Sequence, residues 1–450
     1  MWLGFTPMFA WILFIFPVIC SGLIGTASAW DQEYFHRPVI HILSAGLPTP
    51  SFIDYGSATT PGYHLFLAVI DRLGADDFSI RIVSSLFALG AAVVLSRVVT
   101  RVSTPELGAV SSLLFLLNPH VLGSAVHLTT DGFALLLLIL TLAASLDVAR
   151  EGVKFPFAAR AVLWSSATAM VRQVLLWSAG VPFLAVLMRI AAGQERHKLR
   201  ALVVTGLLNI PAVMLVGMFV LLWGGLVPPG FRVIHDSGLN PAAPIYALAL
   251  VGCWGALIAA VHPNFFHALR SRSAIIGALL GFATVLLVKS SYAGPHDGVR
   301  WGGALWTIAR YTPVIADRSI VIVTLATAGG AVLGAILKLA QGHPRRAECW
   351  TMLLALALGS TAQILNSKCF ERYILPIVLI VIPLAVGVLL PTHDEVQSNH
   401  SAPQRARIAF PLLAVFLFLA VSTTDFYLKL SRENPPPPLP HEFRPTAPPR

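Results

Sequence analysis

The sequence predicts an all-α, polytopic membrane protein with about 11–13 membrane-spanning helices. Of its 450 residues, 56% are hydrophobic and only 12% are charged, whereas charged residues make up about a quarter of a typical soluble domain. Apolar runs close to the roughly 20 residues that cross a bilayer recur along the whole chain. We therefore expect one membrane domain over residues 1–430 and a Pro-rich, disordered tail over residues 431–450.

The long apolar runs define the expected spans. The first run lacks a preceding basic segment and a clear small-residue cleavage site, so we interpret it as a retained span and not as a signal peptide. Arg172 divides the apolar stretch 158–191 into two shorter spans. The expected spans are residues 8–29, 78–100, 106–123, 131–149, 158–170, 173–191, 201–224, 244–262, 273–290, 319–340, 349–366, 373–391 and 408–426.

Basic residues are concentrated in alternate loops. By the positive-inside rule these loops are cytoplasmic, so we expect a cytoplasmic N-terminus and place residues 30–77 outside, in the periplasm or the lumen of the endoplasmic reticulum. The loops account for the net charge of +10, and we expect no nucleic-acid partner. Their basic residues are Arg97, Arg101, Arg150, Lys154, Arg160, Arg189, Arg196, Lys198, Arg200, Arg270, Arg272, Lys338, Arg345, Arg346, Arg405 and Arg407.

The first outside loop contains two candidate surface helices. One runs from Glu33 to Leu43 with apolar residues on one side, and the other starts at Pro61 and continues to about Leu73. Both are too short to span a bilayer and suit helices that lie at the membrane surface. Residues 44–60 between them are rich in Gly, Pro, Ser and Thr, which predicts a loop.

Asp31 and Glu33 follow the first span directly, one residue apart. In an extended stretch this spacing points both carboxylates to the same face, where one of them could act as a general base. Alternatively, both residues only mark the polar end of the span. The same loop also carries His36, Arg37, Asp54, Tyr55 and His64.

Two further polar residues, in later segments that we expect on the outside, each have two possible interpretations. Asp131 either caps a helix that starts at Gly132 or contributes to a site. Arg172 either lies in a loop between two short spans or binds an anionic phosphate, since a charge within an apolar stretch usually faces a partner or a cavity. Arg300, Arg310 and Arg372 are further phosphate candidates, because guanidinium groups bind phosphate bidentately.

Metal chemistry has little support in the sequence. His120 and His127 lack a third ligand at a suitable spacing, and the four cysteines form no CxxC pair. We predict no obligatory cofactor, and the sequence leaves a divalent metal open.

Six short motifs follow one another in the outside segments. They are Gln32-Glu33-Tyr34-Phe35-His36-Arg37-Pro38, Thr59-Thr60-Pro61-Gly62, Thr129-Thr130-Asp131, Arg172-Gln173 with Trp177, Asp297 with Arg300-Trp301, and Glu371-Arg372-Tyr373 with Pro376. In content and order, over about residues 31–376, they resemble the GT-C superfamily of membrane glycosyltransferases. Within it, the chain is most similar to the dolichyl-phosphate-glucose α-1,2-glucosyltransferase family.

The resemblance implies a GT-C-like fold and an inverting sugar transfer. The donor would be a polyprenyl- or dolichyl-phosphate sugar, with glucose favoured, and the acceptor a hydroxyl of a glycan or lipid-linked molecule at the outer or luminal face of the membrane. Asp31 or Glu33 would be the catalytic base. The implied substrate-binding residues are His36, Arg37, Tyr55, Thr60, His64, Asp131, Arg172, Gln173, Arg300, Glu371 and Arg372.

The chain departs from the family at the first acidic position, where Gln32 stands. Asp31 could supply that carboxylate, so the base stays open between Asp31 and Glu33. The short, Ala/Gly/Val/Leu-rich chain favours a bacterial plasma membrane over the endoplasmic reticulum. The alternative function is a polytopic transporter of lipid-linked or small polar substrates, which would place its charges near the bilayer midplane.

Overall fold

The computed structural model describes residues 2–22, 31–232, 238–290, 301–366, 368–390 and 403–430. The predicted tail over residues 431–450, Asp297 and the candidate phosphate ligand Arg300 lie outside the described residues.

The described chain is almost entirely helical. Its α-helices are α1 Thr6–Phe14, α2 Phe16–Cys20, α3 Arg37–Gly46, α4 Gly62–Arg72, α5 Asp77–Val102, α6 Pro105–Leu116, α7 Pro119–Val126, α8 Asp131–Glu151, α9 Phe155–Val171, α10 Val181–Ala191, α11 Lys198–Leu208, α12 Ile210–Trp223, α13 Ala242–Val261, α14 Phe265–Leu269, α15 Arg272–Leu287, α16 Ala304–Arg310, α17 Ile320–Ala340, α18 Arg346–Ala362, α19 Glu371–Gly387 and α20 Pro403–Leu430.

Short elements complete the chain. A π-helix covers Gln32–His36, and 3-10 helices cover Trp2–Phe5, Gln173–Gly180, Pro229–Phe231 and Gln363–Leu365. The strand β1 (Trp301–Gly302) pairs in parallel with β4 (Cys369–Phe370), and β2 (Val314–Ile315) pairs antiparallel with β3 (Arg318–Ser319).

The predicted all-α, multi-pass architecture is confirmed. Within the described residues, nine helices are long and apolar enough to cross a membrane, and α6 with α7 would form a tenth span that is bent by 66°. Within the described residues, each of the thirteen predicted spans coincides with a helix or helix pair; residues 23–29 of the first span and residue 391 lie outside the described residues. The predicted count is higher because it includes α9, α15 and α19, which are only 16 or 17 residues long. Each is shorter than the roughly 20 residues that a full span needs.

Small residues bring α13, α15 and α17 into close contact. A Cβ on Gly330 of α17 would clash with the carbonyl oxygen of Gly277 in α15. Gly329 is equally close to Leu248 of α13, with no room for a side chain. Small residues of this kind allow membrane helices to approach backbone to backbone, where van der Waals packing stabilises them.

Replacing Gly330 by alanine is expected to lower the stability of the folded protein by about 1–3 kcal/mol, because the added methyl group forces the two helices apart. The matched control is Gly206→Ala in α11, where an added Cβ meets no atom within 4 Å. This change should leave stability unchanged or raise it by about 0.5–1 kcal/mol through helix propensity. Thermal unfolding in detergent measures both variants, and equal melting temperatures would contradict the proposed contact.

The basic loops meet at one end of the helix bundle. Arg101 lies 2.9 Å from Asp147, and Arg150 lies 2.9 Å from Glu348. Arg345 donates hydrogen bonds to the carbonyl oxygens of residues at the ends of α5 and α19, at 2.8 and 2.7 Å. This clustering agrees with the prediction that these loops share one side of the membrane.

The first outside loop forms both predicted short helices at the opposite end. The π-helix runs directly into α3, and α4 packs against α3 with Tyr63 and Leu67 fully buried. Val39, Ile40 and Leu43 form the buried face of α3. Pro61 immediately precedes α4, where its fixed φ angle suits a helix start.

Candidate functional site

Asp31 lies at the start of the π-helix with an exposed side chain. Among the described residues, its carboxylate forms no hydrogen bond and no ion pair. Its charge acts on His36 and on Arg372, which raises the pKa of the His36 ring. Asp31 is thus a carboxylate that can accept a proton, close to a histidine and an arginine.

Glu33 is held by its neighbours and has a different environment. Its carboxylate lies 3.0 Å from Arg37 and accepts a hydrogen bond of 2.8 Å from Gln32. The side chain is only 8% exposed, and Arg37 also contacts Asp77 at 3.0 Å. The expectation that Asp31 and Glu33 face the same way was wrong, because this segment is helical and not extended.

Gln32 fixes the position of the π-helix. It is buried, and its side-chain oxygen accepts a hydrogen bond of 2.9 Å from the backbone amide of Leu128. Leu128 lies just before α8, so this contact joins the first outside loop to the segment that carries Asp131. Gln32 therefore has a structural contact in this chain.

Two arginines converge on Tyr373. Arg172 interrupts the helix after α9 with an extended backbone (φ −149°, ψ 103°), forms an ion pair with Asp131 and lies 5.2 Å from the Tyr373 ring. Arg372 lies 4.9 Å from the same ring and donates a 2.9 Å hydrogen bond to its hydroxyl. Asp131 is the first residue of α8 and pairs with Arg172, so it does not act as the cap of that helix.

The charges of three other residues act on the ring of His36. The pKa of His36 is lowered to about 4, mainly by burial and also by the charges of Arg172 and Arg372, while the charge of Asp31 opposes this shift. We use the name outer cluster for His36 and the three residues whose charges act on it, Asp31, Arg172 and Arg372. Tyr373 belongs with it and was not assigned a role from the sequence, although it lies in the last of the six motifs.

His36 is connected to the interior of the first outside loop. Its Nδ1 lies 2.8 Å from Nε2 of His64, and Nδ1 of His64 lies 2.5 Å from the hydroxyl of Tyr55. Tyr55 stacks on Trp223 at the end of α12, with ring centroids 6.0 Å apart. His64 and Tyr55 are buried, so only His36 of the three reaches the outer cluster.

Gln173 joins the first outside loop to two other segments. Its side-chain oxygen accepts a 2.9 Å hydrogen bond from the amide of Thr60, and its nitrogen donates to the carbonyl oxygens of Ala58 and Leu226 at 2.7 and 2.9 Å. The Thr60 hydroxyl donates to the carbonyl oxygen of Ala169 at 2.7 Å. Both side chains thus hold the loop against the outer end of α9.

Replacing Gln173 by leucine is expected to loosen residues 58–62, because the buried Thr60 amide loses its hydrogen-bond partner at about 1–3 kcal/mol and the partly buried carbonyl group of Ala58 loses its donor. Hydrogen–deuterium exchange of that segment should become faster in this variant. The control is Gln194→Leu. The exposed side chain of Gln194 donates one hydrogen bond in the described structure, to the carbonyl oxygen of Pro344 at the opposite end of the bundle. Unchanged exchange in the Gln173 variant would contradict the assigned contact.

Glu371 is bonded to protein groups away from the outer cluster. It accepts hydrogen bonds from the Tyr246 hydroxyl at 2.5 Å and from the Leu305 amide at 3.0 Å, and His120 lies 3.4 Å away. These contacts join α19 to α13, α16 and α7. Glu371, which directly precedes Arg372, is therefore hydrogen-bonded within the protein.

A cavity of about 460 Å³ lies at the end of the bundle that holds the basic loops. Its arginines are bonded to helix ends: Arg189 donates to the carbonyl oxygens of Ala149 and Arg150 at 2.9 and 2.6 Å. Cations stabilise helix C-termini in this way. The lining residues are Ala149, Arg150, Arg189, Gln194, Pro344, Arg345 and Glu348.

Across the described segments, no group of three or more His, Cys, Asp or Glu side chains is arranged to hold a metal ion.

Comparison with known proteins gives no family model and no curated protein that matches this chain. Among solved structures, the apo structure of ArnT from Cupriavidus metallidurans matches with a TM-score of 0.35 and 13% identity, over 84% of this chain and 75% of that one. The structure of ArnT bound to undecaprenyl phosphate matches with a TM-score of 0.39 and 13% identity, over 86% of this chain and 77% of that one. At these TM-scores the similarity carries no conclusion about function.

Proposed function

We propose that the protein is a GT-C-type glycosyltransferase that transfers a sugar, with glucose favoured, from a polyprenyl-phosphate sugar to a hydroxyl of a glycan or lipid-linked acceptor. Transfer takes place at the outer face of a bacterial plasma membrane. The observation that carries the proposal is the outer cluster: a carboxylate without a protein partner in the described structure, beside two guanidinium groups that share one tyrosine ring.

In the proposed reaction, Asp31 is the general base. It takes the proton of the acceptor hydroxyl while the acceptor oxygen attacks the anomeric carbon of the sugar. The bond between that carbon and the phosphate oxygen breaks, and polyprenyl phosphate leaves with the bonding electrons. A single displacement of this kind inverts the anomeric configuration.

Arg172 and Arg372 bind the phosphate of the donor and stabilise the negative charge that develops on it. Tyr373 holds both guanidinium groups in place through its ring and its hydroxyl. Asp131 orients Arg172 by its ion pair. Glu33, Arg37, Gln173, Thr60 and Glu371 keep the surrounding segments in position.

The positions of the charges favour an enzyme over a transporter. Asp131 is the first residue of α8, Arg172 follows the last residue of α9, and Arg372 is the second residue of α19. The outer cluster therefore lies at helix ends and not at the bilayer midplane, where transporters bind their substrates. The 66° bend between α6 and α7 is a feature that transporters share, but it carries none of these charges.

The experiment uses purified protein in liposomes that contain polyprenyl-phosphate glucose or polyprenyl-phosphate mannose labelled in the sugar. Release of unlabelled polyprenyl phosphate with label on an acceptor supports the proposal. Movement of the intact labelled donor across the bilayer, without cleavage, would contradict it and support the transporter.

A further inference from the structure

A buried chain of three side chains ends at the outer cluster. The Tyr55 hydroxyl is hydrogen-bonded to Nδ1 of His64, and Nε2 of His64 is hydrogen-bonded to Nδ1 of His36. Tyr55 is 4% exposed and His64 is fully buried. Both side chains are buried, and they connect to the outer cluster through His36; their role as substrate-binding residues stays a prediction.

Tyr55 is the first donor in this chain of hydrogen bonds. Burial raises the pKa of Tyr55. The O–H of a phenol is a stronger acid than the N–H of a neutral imidazole, so a phenol beside an imidazole nitrogen is the donor of the hydrogen bond. The phenol keeps its own proton and has His64 Nδ1 as an acceptor at 2.5 Å.

The two imidazole rings continue the chain of hydrogen bonds in the same direction. The hydrogen bond between the two ring nitrogens needs one donor and one acceptor, and burial lowers the pKa of both rings, which disfavours their charged forms. A neutral imidazole has one N–H and one acceptor nitrogen. Since His64 accepts at Nδ1, its proton is on Nε2 and points to His36 Nδ1. His36 then accepts at Nδ1 and has its own proton on Nε2, on the side of the ring away from His64.

We propose that Tyr55 and His64 are positioning residues that hold His36 in the Nε2–H tautomer, so that His36 donates a hydrogen bond to an anionic oxygen bound between Arg172 and Arg372. The identity of that anion as the donor phosphate rests on the proposed function; the tautomer does not. The arrangement adds a third donor to the anion site without adding a third positive charge.

The test is nitrogen-15 NMR of protein labelled at histidine, reconstituted as the full chain in lipid. The ring signals of His36 and His64 are assigned from their absence in His36→Gln and His64→Gln variants. In the wild type we expect both rings to carry the proton on Nε2. In Tyr55→Phe the phenol proton is lost, and we expect the Nδ1–H and Nε2–H forms of both rings to become mixed.

The matched control is Tyr63→Phe. Tyr63 packs edge-on against His36 and His64, at 6.2 and 5.1 Å between ring centroids, but its hydroxyl bonds to Ser84 at 2.8 Å. It should leave both tautomers unchanged. In the transfer assay, Tyr55→Phe should lower kcat by about 10–100-fold, the range for partners that orient a functional histidine, and Tyr63→Phe should not.

Two results would overturn the proposal: a proton on Nδ1 of His36 in the wild type, or identical histidine spectra in the wild type and Tyr55→Phe. The NMR measurement needs no turnover. An absence of sugar transfer in the wild type would therefore count against the proposed function alone, while the tautomer would still be tested.

Discussion

The Asp31→Asn variant is expected to transfer sugar with a kcat about 10²–10⁴-fold below that of the wild type, the range that a general base contributes. Asparagine has nearly the same shape as aspartate but cannot accept the proton of the acceptor hydroxyl. Because Asp31 has no protein partner in the described part of the chain, its loss should not weaken the fold. Initial rates in membranes with equal amounts of each protein give the comparison.

Glu33→Gln is the control for this prediction. Glu33 contacts Arg37 and Gln32 within the loop, so we expect less than a tenfold loss of kcat together with a lower melting temperature. A variant pair with the opposite pattern, in which Glu33→Gln is inactive and Asp31→Asn is active, would assign the base to Glu33.

The Arg372→Gln variant is expected to lower kcat by about 10²–10³-fold, the usual loss when one group that stabilises transition-state charge is removed. The loss arises because negative charge on the departing phosphate is no longer neutralised. Arg372 is preferred to Arg172 for this test, because removing Arg172 also leaves the Asp131 carboxylate without its ion-pair partner.

Arg310→Gln controls for a general loss of positive charge. Arg310 ends α16 and is exposed, and its charge is not among those that act on His36. This variant should keep close to wild-type kcat. Equal losses in the Arg372 and Arg310 variants would contradict a specific phosphate contact by Arg372.

The membrane architecture could be predicted because it depends on local properties. The length of an apolar run can be read from that run alone, and the described parts of all thirteen runs are helical. The positions of the short helices in the first outside loop could also be predicted from local sequence, since Pro61 and the apolar face of α3 each belong to a single segment. Only the count of full-length spans was too high, because α15 and α19 end before their predicted spans do and α9, although slightly longer than its predicted span, has only 17 residues.

The geometry of the candidate site depended on contacts between distant residues, which a single sequence does not show. Gln32 bonds to Leu128, 96 residues away, and Gln173 bonds to Thr60, 113 residues away. The pairing of Asp131 with Arg172 likewise required the fold. These contacts explain why the sequence left the base open between two carboxylates.

The most direct test of the central claim is whether wild-type membranes transfer radiolabelled sugar from polyprenyl-phosphate glucose or polyprenyl-phosphate mannose to an acceptor, compared with membranes that lack the protein. The proposed function predicts protein-dependent transfer from at least one donor, with glucose favoured, and a product of inverted anomeric configuration. Equal label on acceptors in both membranes, from both donors, would contradict it.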